Sequence, residues 1–288
     1  MRPSSGSTTP SLFSLHAVRL LAVIALVTML GACSMFGHKA NTIDTMPLEP
    51  LYTKAHSWLE AGNYSGAGQA FRRLIARFPS GPYSEQAQLE LAYAQYKDNQ
   101  PDEALSTINR FIKTYPANKH VDYAYYLRGL INFDRTTGFI ERFTKRSGGL
   151  TRRDQGYNLQ AFDDFSELSR RFPDSAYAAD ARQRMIYLRN LLAQYEINVA
   201  EFYLQSKAYI ASADRSQYVI EHYQQAPQTG DALAILARSY LALDRKELAA
   251  QTREVLALNY PNHPYLTDPK WPHGPSLLRK MIPFSGHH

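Results

Sequence analysis

Five times this chain brings a helical stretch to an aromatic stop. Proline follows four of the stops, Phe78-Pro79, Tyr115-Pro116, Phe172-Pro173 and Tyr260-Pro261, whereas the fifth, Tyr223-Gln224, lacks it. Successive stops lie 37, 57, 51 and 37 residues apart. Proline has no amide hydrogen and its ring collides with the preceding turn, so each one ends a helix and opens the next unit. The two longer intervals read as 37 plus insertions of 20 and 14 residues. Such a period limits the fold to a stack of similar helix pairs, each of which buries its apolar face against its neighbours.

The interior of each unit repeats as well. Ala67, Phe71, Leu74 and Pro79 recur at the same offsets as Ala104, Ile108, Phe111 and Pro116, and again as Ala161, Phe165, Leu168 and Pro173. Ala249, Leu256 and Pro261 repeat them once more, with Arg253 in the aromatic place. Ala55, Ala92 and Ala237 each stand twelve residues ahead of one of these alanines. Small side chains let two antiparallel helices close up, and the bulky residue one turn on fills the groove. The first unit carries Trp58, Gly62, Asn63, Tyr64, Ala67, Phe71 and Pro79. This pattern resembles the tetratricopeptide repeat, a helix–turn–helix of about 34 residues. The resemblance implies an all-α superhelical solenoid of about five repeats and ten helices, over 48–81, 85–118, 122–175, 177–226 and 230–263. Repeats one to three make an N-terminal half (48–175), and repeats four and five a C-terminal half (177–263). The fourth repeat is the least regular, with Lys207 and Ser216 in place of the glycine and the aromatic. Its first helix is expected from about Tyr177 to Gln205, lengthened by the 14 extra residues. The 20-residue insertion falls within repeat three, in residues 134–158, which hold six Lys/Arg, three acids and a helix-breaking Gly148-Gly149. A solvated loop and a partner-binding projection are both open readings of it. Residues 264–288 are Pro-rich and aperiodic, a flexible tail by expectation.

The N-terminus carries an address. Arg2, His16 and Arg19 precede eleven uncharged residues, 20–30 (LLAVIALVTML). As a helix these reach about 16 Å, too short for a hydrocarbon core of about 30 Å. Residues 1–32 therefore read as a secretory signal peptide. Leu30-Gly31-Ala32-Cys33 resembles the bacterial lipobox. That resemblance implies a covalent diacylglycerol and an N-acyl chain on Cys33, with residues 33–47 as a lipid-anchored tether. Ser34 after it implies the periplasmic face of the outer membrane. An ordinary signal peptide with a nearby cysteine is the alternative. Cys33 is the single cysteine of the chain, which excludes an intrachain disulfide framework and any multi-cysteine metal site.

Enzymatic chemistry finds no support. The chain has no Gly-x-Ser-x-Gly, no phosphate-cradling glycine loop with lysine and no His-Glu-x-x-His. His120 and Asp122, two apart at a helix start, read as capping residues, and His287-His288 alone do not make a metal site. No cofactor is expected. A net charge of +6 is mild for a nucleic-acid binder of 288 residues, and the basic insertion lacks an aromatic ladder.

Composition points to recognition instead. The chain has 20 Tyr and 13 Phe against 2 Trp, and tyrosine suits half-buried surfaces with one apolar and one wet end. Tetratricopeptide proteins line a concave groove with the first helices of successive repeats. Carrying that register over gives Tyr52, His56 and Leu59, then Leu89, Tyr93, Tyr96 and Lys97, then Tyr123, Tyr126, Leu130 and Phe133. In repeats four and five it gives Ile197, Glu201, Leu204, Ala234, Arg238 and Leu241, with no aromatic. An aromatic groove confined to the N-terminal half suits an extended peptide with aromatic anchors.

Lipobox, five repeats, a long third-repeat insertion and a Pro-rich tail together resemble the BamD family, tetratricopeptide lipoproteins of the outer-membrane β-barrel assembly (BAM) machinery. Gly62-Asn63-Tyr64, Arg77-Phe78-Pro79, Asp163-Asp164-Phe165, Arg171-Phe172-Pro173 and residues 195–203 (YEINVAEFY) carry the likeness. The resemblance implies a non-enzymatic scaffold that binds the POTRA domains of BamA through its C-terminal half, where Arg215 matches an interface arginine. It also implies partnership with other BAM lipoproteins, and recognition of the aromatic C-terminal segments of unfolded outer-membrane proteins by the N-terminal groove. The asymmetry in groove aromatics places the terminal aromatic among Tyr93, Tyr96, Tyr123 and Tyr126 by expectation, with Lys97 pairing the carboxylate. A pilotin-like or cell-wall-coordinating lipoprotein is the alternative.

Overall fold

The computed structural model describes residues 42–144 and 152–272. Cys33, the signal peptide and the greater part of the tether lie outside them. After a helical turn at Thr42–Thr45 come five helix pairs: α1 (Leu48–Glu60) with α2 (Tyr64–Arg77), α3 (Pro82–Lys97) with α4 (Pro101–Thr114), α5 (Val121–Thr144) with α6 (Arg152–Arg171), α7 (Ala178–Gln205) with α8 (Tyr209–His222), and α9 (Thr229–Ala242) with α10 (Lys246–Asn259). Each helix packs on the next, and α1 touches α3, α3 touches α5 and α7 touches α9 across the inner layer. This is the all-α tetratricopeptide solenoid that the 37-residue period predicts.

The crossings use the residues that the offsets mark. Ala55, Ala67, Phe71, Leu74, Ala92, Ala104, Ile108, Phe111, Ala161, Phe165, Leu168, Ala237, Ala249 and Leu256 are all buried. In α5 the small residue is Gly129, displaced in the sequence by the insertion; a Cβ there would lie 2.6 Å from the Phe165 ring. Repeat four has no aromatic at its crossing and closes it with serines. Ser212 Oγ donates to the Ala200 carbonyl (2.9 Å), Ser216 Oγ to the Ser212 carbonyl (2.9 Å), and Ser239 Oγ to Ser212 Oγ (3.1 Å). Helix carbonyls thereby satisfy hydroxyls that would be costly to bury alone.

Four of the five pairs turn in the same way. Gly62, Asn99, Lys207 and Asp244 take φ of +77°, +60°, +61° and +56°. The next amide in each case reaches back over the helix end: Asn63 to Trp58 (2.8 Å), and Gln100 to Gln95, Ala208 to Tyr203 and Arg245 to Tyr240 (each 2.9 Å). Lys207 is the costliest occupant, since a Cβ in the left-handed region crowds its own carbonyl. Lys207→Gly is expected to stabilise the chain by about 0.5–1 kcal/mol, the steric relief being partly offset by glycine's freer unfolded state. Urea unfolding followed by circular dichroism measures it, and an unchanged midpoint would refute the strain account.

The first helix of repeat four runs to Gln205, at 28 residues the longest of the set, as the 14-residue insertion predicts. Two expectations need correction. Most of 134–158, read as a loop or projection, is helix, because α5 continues to Thr144 and α6 starts at Arg152. The one consecutive helix-breaking pair is Gly148-Gly149, so helix propagates toward it from both sides; residues 145–151 lie outside the described ones. The tail 264–288 is not flexible from its first residue. Pro264–Leu266 forms a 3-10 turn, and Tyr265 is buried with Leu233, Ala234, Ala237 and Leu256. Tyr265 follows its aromatic stop by five residues, as Tyr83, His120 and Tyr177 follow theirs, so the chain begins a sixth unit that caps the stack. Residues 273–288 lie outside the described ones.

Candidate functional site

The inner face of repeats one to three holds a cleft of about 200 Å³ lined by Leu59, Gln86, Leu89, Glu90, Tyr93, His120, Tyr123 and Tyr177. It adjoins a depression of about 500 Å³ that shares Gln86 and His120 and adds Tyr52, Tyr83, Asn118 and Lys119. Helix α3 supplies the floor, the starts of α5 and α7 one wall, and α1 the other.

The predicted aromatics divide into two groups by what their hydroxyls do. Tyr52 donates to Glu90 Oε1 (2.8 Å), Tyr126 to Asp180 Oδ2 (2.7 Å) and Tyr96 to Asp134. Burial pushes all three phenols up, and the neighbouring carboxylate adds to it. Tyr93, Tyr123 and Tyr177 face the cleft, and among the described residues no side chain claims their hydroxyls. Their rings belong to two aromatic clusters. Tyr93 lies 6.5 Å from Tyr64 and 6.3 Å from Tyr96, while Tyr177 lies 5.3 Å from Tyr123 and is stacked on Tyr126 at 4.9 Å. Phe133 is half-buried outside the cleft lining, 6.3 Å from Phe165 and 5.7 Å from Tyr187, with the Arg184 guanidinium 4.8 Å over its ring. Lys97 lies at the rim, its Nζ 5.9 Å from the Tyr64 ring centre and 6.0 Å from that of Tyr96.

One buried acid organises the α1 wall. The Glu90 carboxylate accepts from Tyr52 and from Gln86 Nε2 (2.9 Å), and lies 3.0 Å from His56 Nδ1. That hydrogen bond to Glu90 raises the imidazole pKa above its ordinary value, against the opposing effect of burial. His120 and Asp122 serve different ends. The His120 ring lines the cleft, whereas Asp122 accepts from the Tyr123 amide (2.8 Å) and from Ser175 Oγ (2.7 Å). Among the described residues no group of three His, Cys, Asp or Glu is placed to hold a metal ion, and no helix is long and apolar enough to cross a membrane.

Arg215 lies far along the chain on α8, half-exposed, with Nη1 3.0 Å from Glu196 Oε2 of α7. Register reasoning missed Tyr177, Tyr83, Glu90 and the ring of His120. Three of them share a signal, for Tyr83, His120 and Tyr177 each stand five residues after an aromatic stop.

The comparisons with known proteins agree with this architecture. The family model described as "YfiO: Outer membrane lipoprotein" matches residues 44–268. The outer membrane protein assembly factor BamD of Xylella fastidiosa (strain Temecula1) is 45% identical over 277 residues, 96% of this chain and 93% of that protein. Its counterpart from Neisseria meningitidis serogroup B is 39% identical over 254 residues, 87% of this chain and 94% of that protein. Vibrio cholerae BamD is 32% identical over 242 residues, 83% and 97% of the two chains. A solenoid of five helix pairs, matched along nearly its whole described length, places the chain in the BamD family of outer membrane lipoproteins.

Proposed function

We propose that this chain is a non-enzymatic scaffold of outer-membrane protein assembly, anchored through acyl chains on Cys33 at the periplasmic face of the outer membrane. In this reading the N-terminal cleft receives the aromatic C-terminal segment of an unfolded β-barrel protein, and the C-terminal half holds the POTRA domains of BamA, with other BAM lipoproteins alongside. The cleft carries the reading: Tyr93, Tyr123 and Tyr177 offer ring faces and uncommitted hydroxyls side by side. A guest ring gains apolar burial and edge-to-face contact there, and guest backbone groups find the hydroxyls as partners. Lys97 at the rim supplies a cation for the terminal carboxylate. The names of the relatives, outer membrane protein assembly factors, favour this over a pilotin-like or cell-wall role.

Arg215 separates the two tasks. A full-length tagged Arg215→Glu lipoprotein, recovered from detergent-solubilised envelopes, is expected to bring down BamA at least about 10-fold less than the unaltered chain, as charge reversal at an interface opposes docking. Its affinity for a phenylalanine-ended peptide is expected to be unchanged. Recovery of a secretin or of cell-wall enzymes by the unaltered chain, with no POTRA-bearing barrel, would overturn the reading.

A further inference from the structure

The inner face of repeats four and five has no aromatic of its own, yet it is occupied. The chain folds back after Tyr265, and Trp271 packs on two core clusters, one containing Ile197, Leu204 and Ile235 and the other Ala234 and Ala237. Arg238 Nη1 donates to three successive main-chain carbonyls, those of Lys270 (2.9 Å), Trp271 (3.0 Å) and Pro272 (3.2 Å). The His263 ring meets the indole edge-on at 4.7 Å, and its Nε2 lies 3.0 Å from Asp231 Oδ1. An aromatic anchor in an apolar slot and a guanidinium on consecutive backbone carbonyls are the contacts of a bound peptide.

We propose that this groove is a second peptide-binding site, and that residues 270–272 are a ligand held in cis. The occupant it accepts from another protein is an extended segment of the same chemistry, an aromatic residue followed by proline. The aromatic is required by the slot beside Ile197 and Ala234. The proline fits because the contacts to Arg238 use carbonyls alone, so no amide hydrogen is needed. A tethered segment competes at an effective concentration of order mM, so exchange favours an occupant that is itself held in the same assembly. This site does not rest on the N-terminal cleft, and neither Tyr123 nor Tyr177 takes part in it.

The test uses the full chain carrying Trp58→Phe, which leaves Trp271 as its single indole. The probe is a synthetic peptide, Asp-Pro-Lys-Phe-Pro-His, beside a scrambled twin. At millimolar peptide the Trp271 emission is expected to shift to the red as the indole leaves its slot, and the scrambled peptide is expected to leave it in place. In a second chain, Trp271→Ala vacates the slot, and a dye-labelled probe is expected to bind at least about 10-fold more tightly than to the unaltered chain. Adding Arg238→Gln to Trp271→Ala is expected to remove that gain. No emission shift at 5 mM peptide on the order of the tether's own concentration, or equal shifts with both peptides, would overturn the proposal. Binding of a phenylalanine-ended barrel peptide at the N-terminal cleft is expected to be unmoved by Trp271→Ala, so the two sites fail or succeed separately.

Discussion

Arg128→Met is expected to lower the unfolding free energy by about 3–5 kcal/mol, the usual cost of removing one partner from a buried ion pair. Asp164, in the third repeat, is only 1% exposed, and the Arg128 side chain only 17%. Arg128 Nε lies 2.8 Å from Asp164 Oδ1, and Nη2 3.0 Å from Glu167 Oε2. Asn132 and Gln160 complete the carboxylate's shell at 2.7 and 3.2 Å. Even so, burial raises the Asp164 pKa, with Arg128 the main opposing influence. Methionine keeps the apolar stem and removes the charge, so the carboxylate is left buried without a counterion. A carboxyl whose folded pKa stands above its unfolded value costs stability once ionised. The loss in Arg128→Met is therefore expected to be largest near neutral pH and to shrink as pH falls through the raised Asp164 pKa. Arg128→Met with Asp164→Leu is expected to recover most of it, since an apolar pair leaves nothing unpaired. Urea unfolding at two pH values measures both effects, and a single-variant loss below about 1 kcal/mol would mean that water relaxes the site. Hydrogen exchange adds a location: α5 and α6 are expected to lose protection before α9 and α10, because a solenoid unit leans only on its neighbours.

The largest functional effect is expected from Tyr123→Ala combined with Tyr177→Ala. Affinity for a phenylalanine-ended peptide should fall about 30–100-fold, or about 2–3 kcal/mol, as anchor aromatics at the centre of an interface commonly contribute. Tyr123→Phe with Tyr177→Phe keeps the rings and separates the two contributions. A loss of only a few fold would assign the binding to ring burial, and the remainder to the hydroxyls. Tyr126→Phe is expected to matter less, because its hydroxyl is already engaged by Asp180. Fluorescence anisotropy of a labelled peptide reads all three, and an unchanged affinity in the double alanine chain would move the peptide elsewhere.

The fold was legible where the sequence repeats a physical requirement. A helix crossing needs a small residue and a bulky one at fixed spacing, so Ala67 with Phe71 and Ala104 with Ile108 reported their own burial. Gly129 meets the same need but was hidden, since the insertion separates it from Ala161. The α7 length was legible because 14 extra residues preceded the aromatic stop at Tyr223, which keeps its tyrosine though not its proline. The site was legible only in outline. Helical register puts Tyr93, Tyr96, Tyr123 and Tyr126 on one face, but which hydroxyls are committed depends on acids far along the chain. Asp134 is 38 residues from Tyr96, and Asp180 is 54 from Tyr126. Tyr177 escaped because the register counts back from the turn and so assigns repeat four's groove positions to Ile197, Glu201 and Leu204, in the second half of α7. The capping role of Tyr265 and Trp271 escaped because a Pro-rich stretch without periodicity gives no sign of the slot that awaits it.

Helix α7 is a beam as well as a wall. Its 28 residues extend about 42 Å at 1.5 Å per residue. Its first half packs in the third repeat's core through Ala181 and Leu188, and its second half in the fourth repeat's core through Ile197, Ala200 and Leu204. Tyr177 is mounted on one end, and Glu196, which holds Arg215, sits past the middle. A beam built into two blocks carries a moment from one to the other without bending much. A tilt of about 10° about its far end sweeps the near end through about 7 Å on a span of that length. That travel exceeds the 5.3 Å separating the rings of Tyr123 and Tyr177. Tyr177 of the aromatic cleft and the Glu196 that holds Arg215 thus stand on one continuous element that is built into both halves of the solenoid.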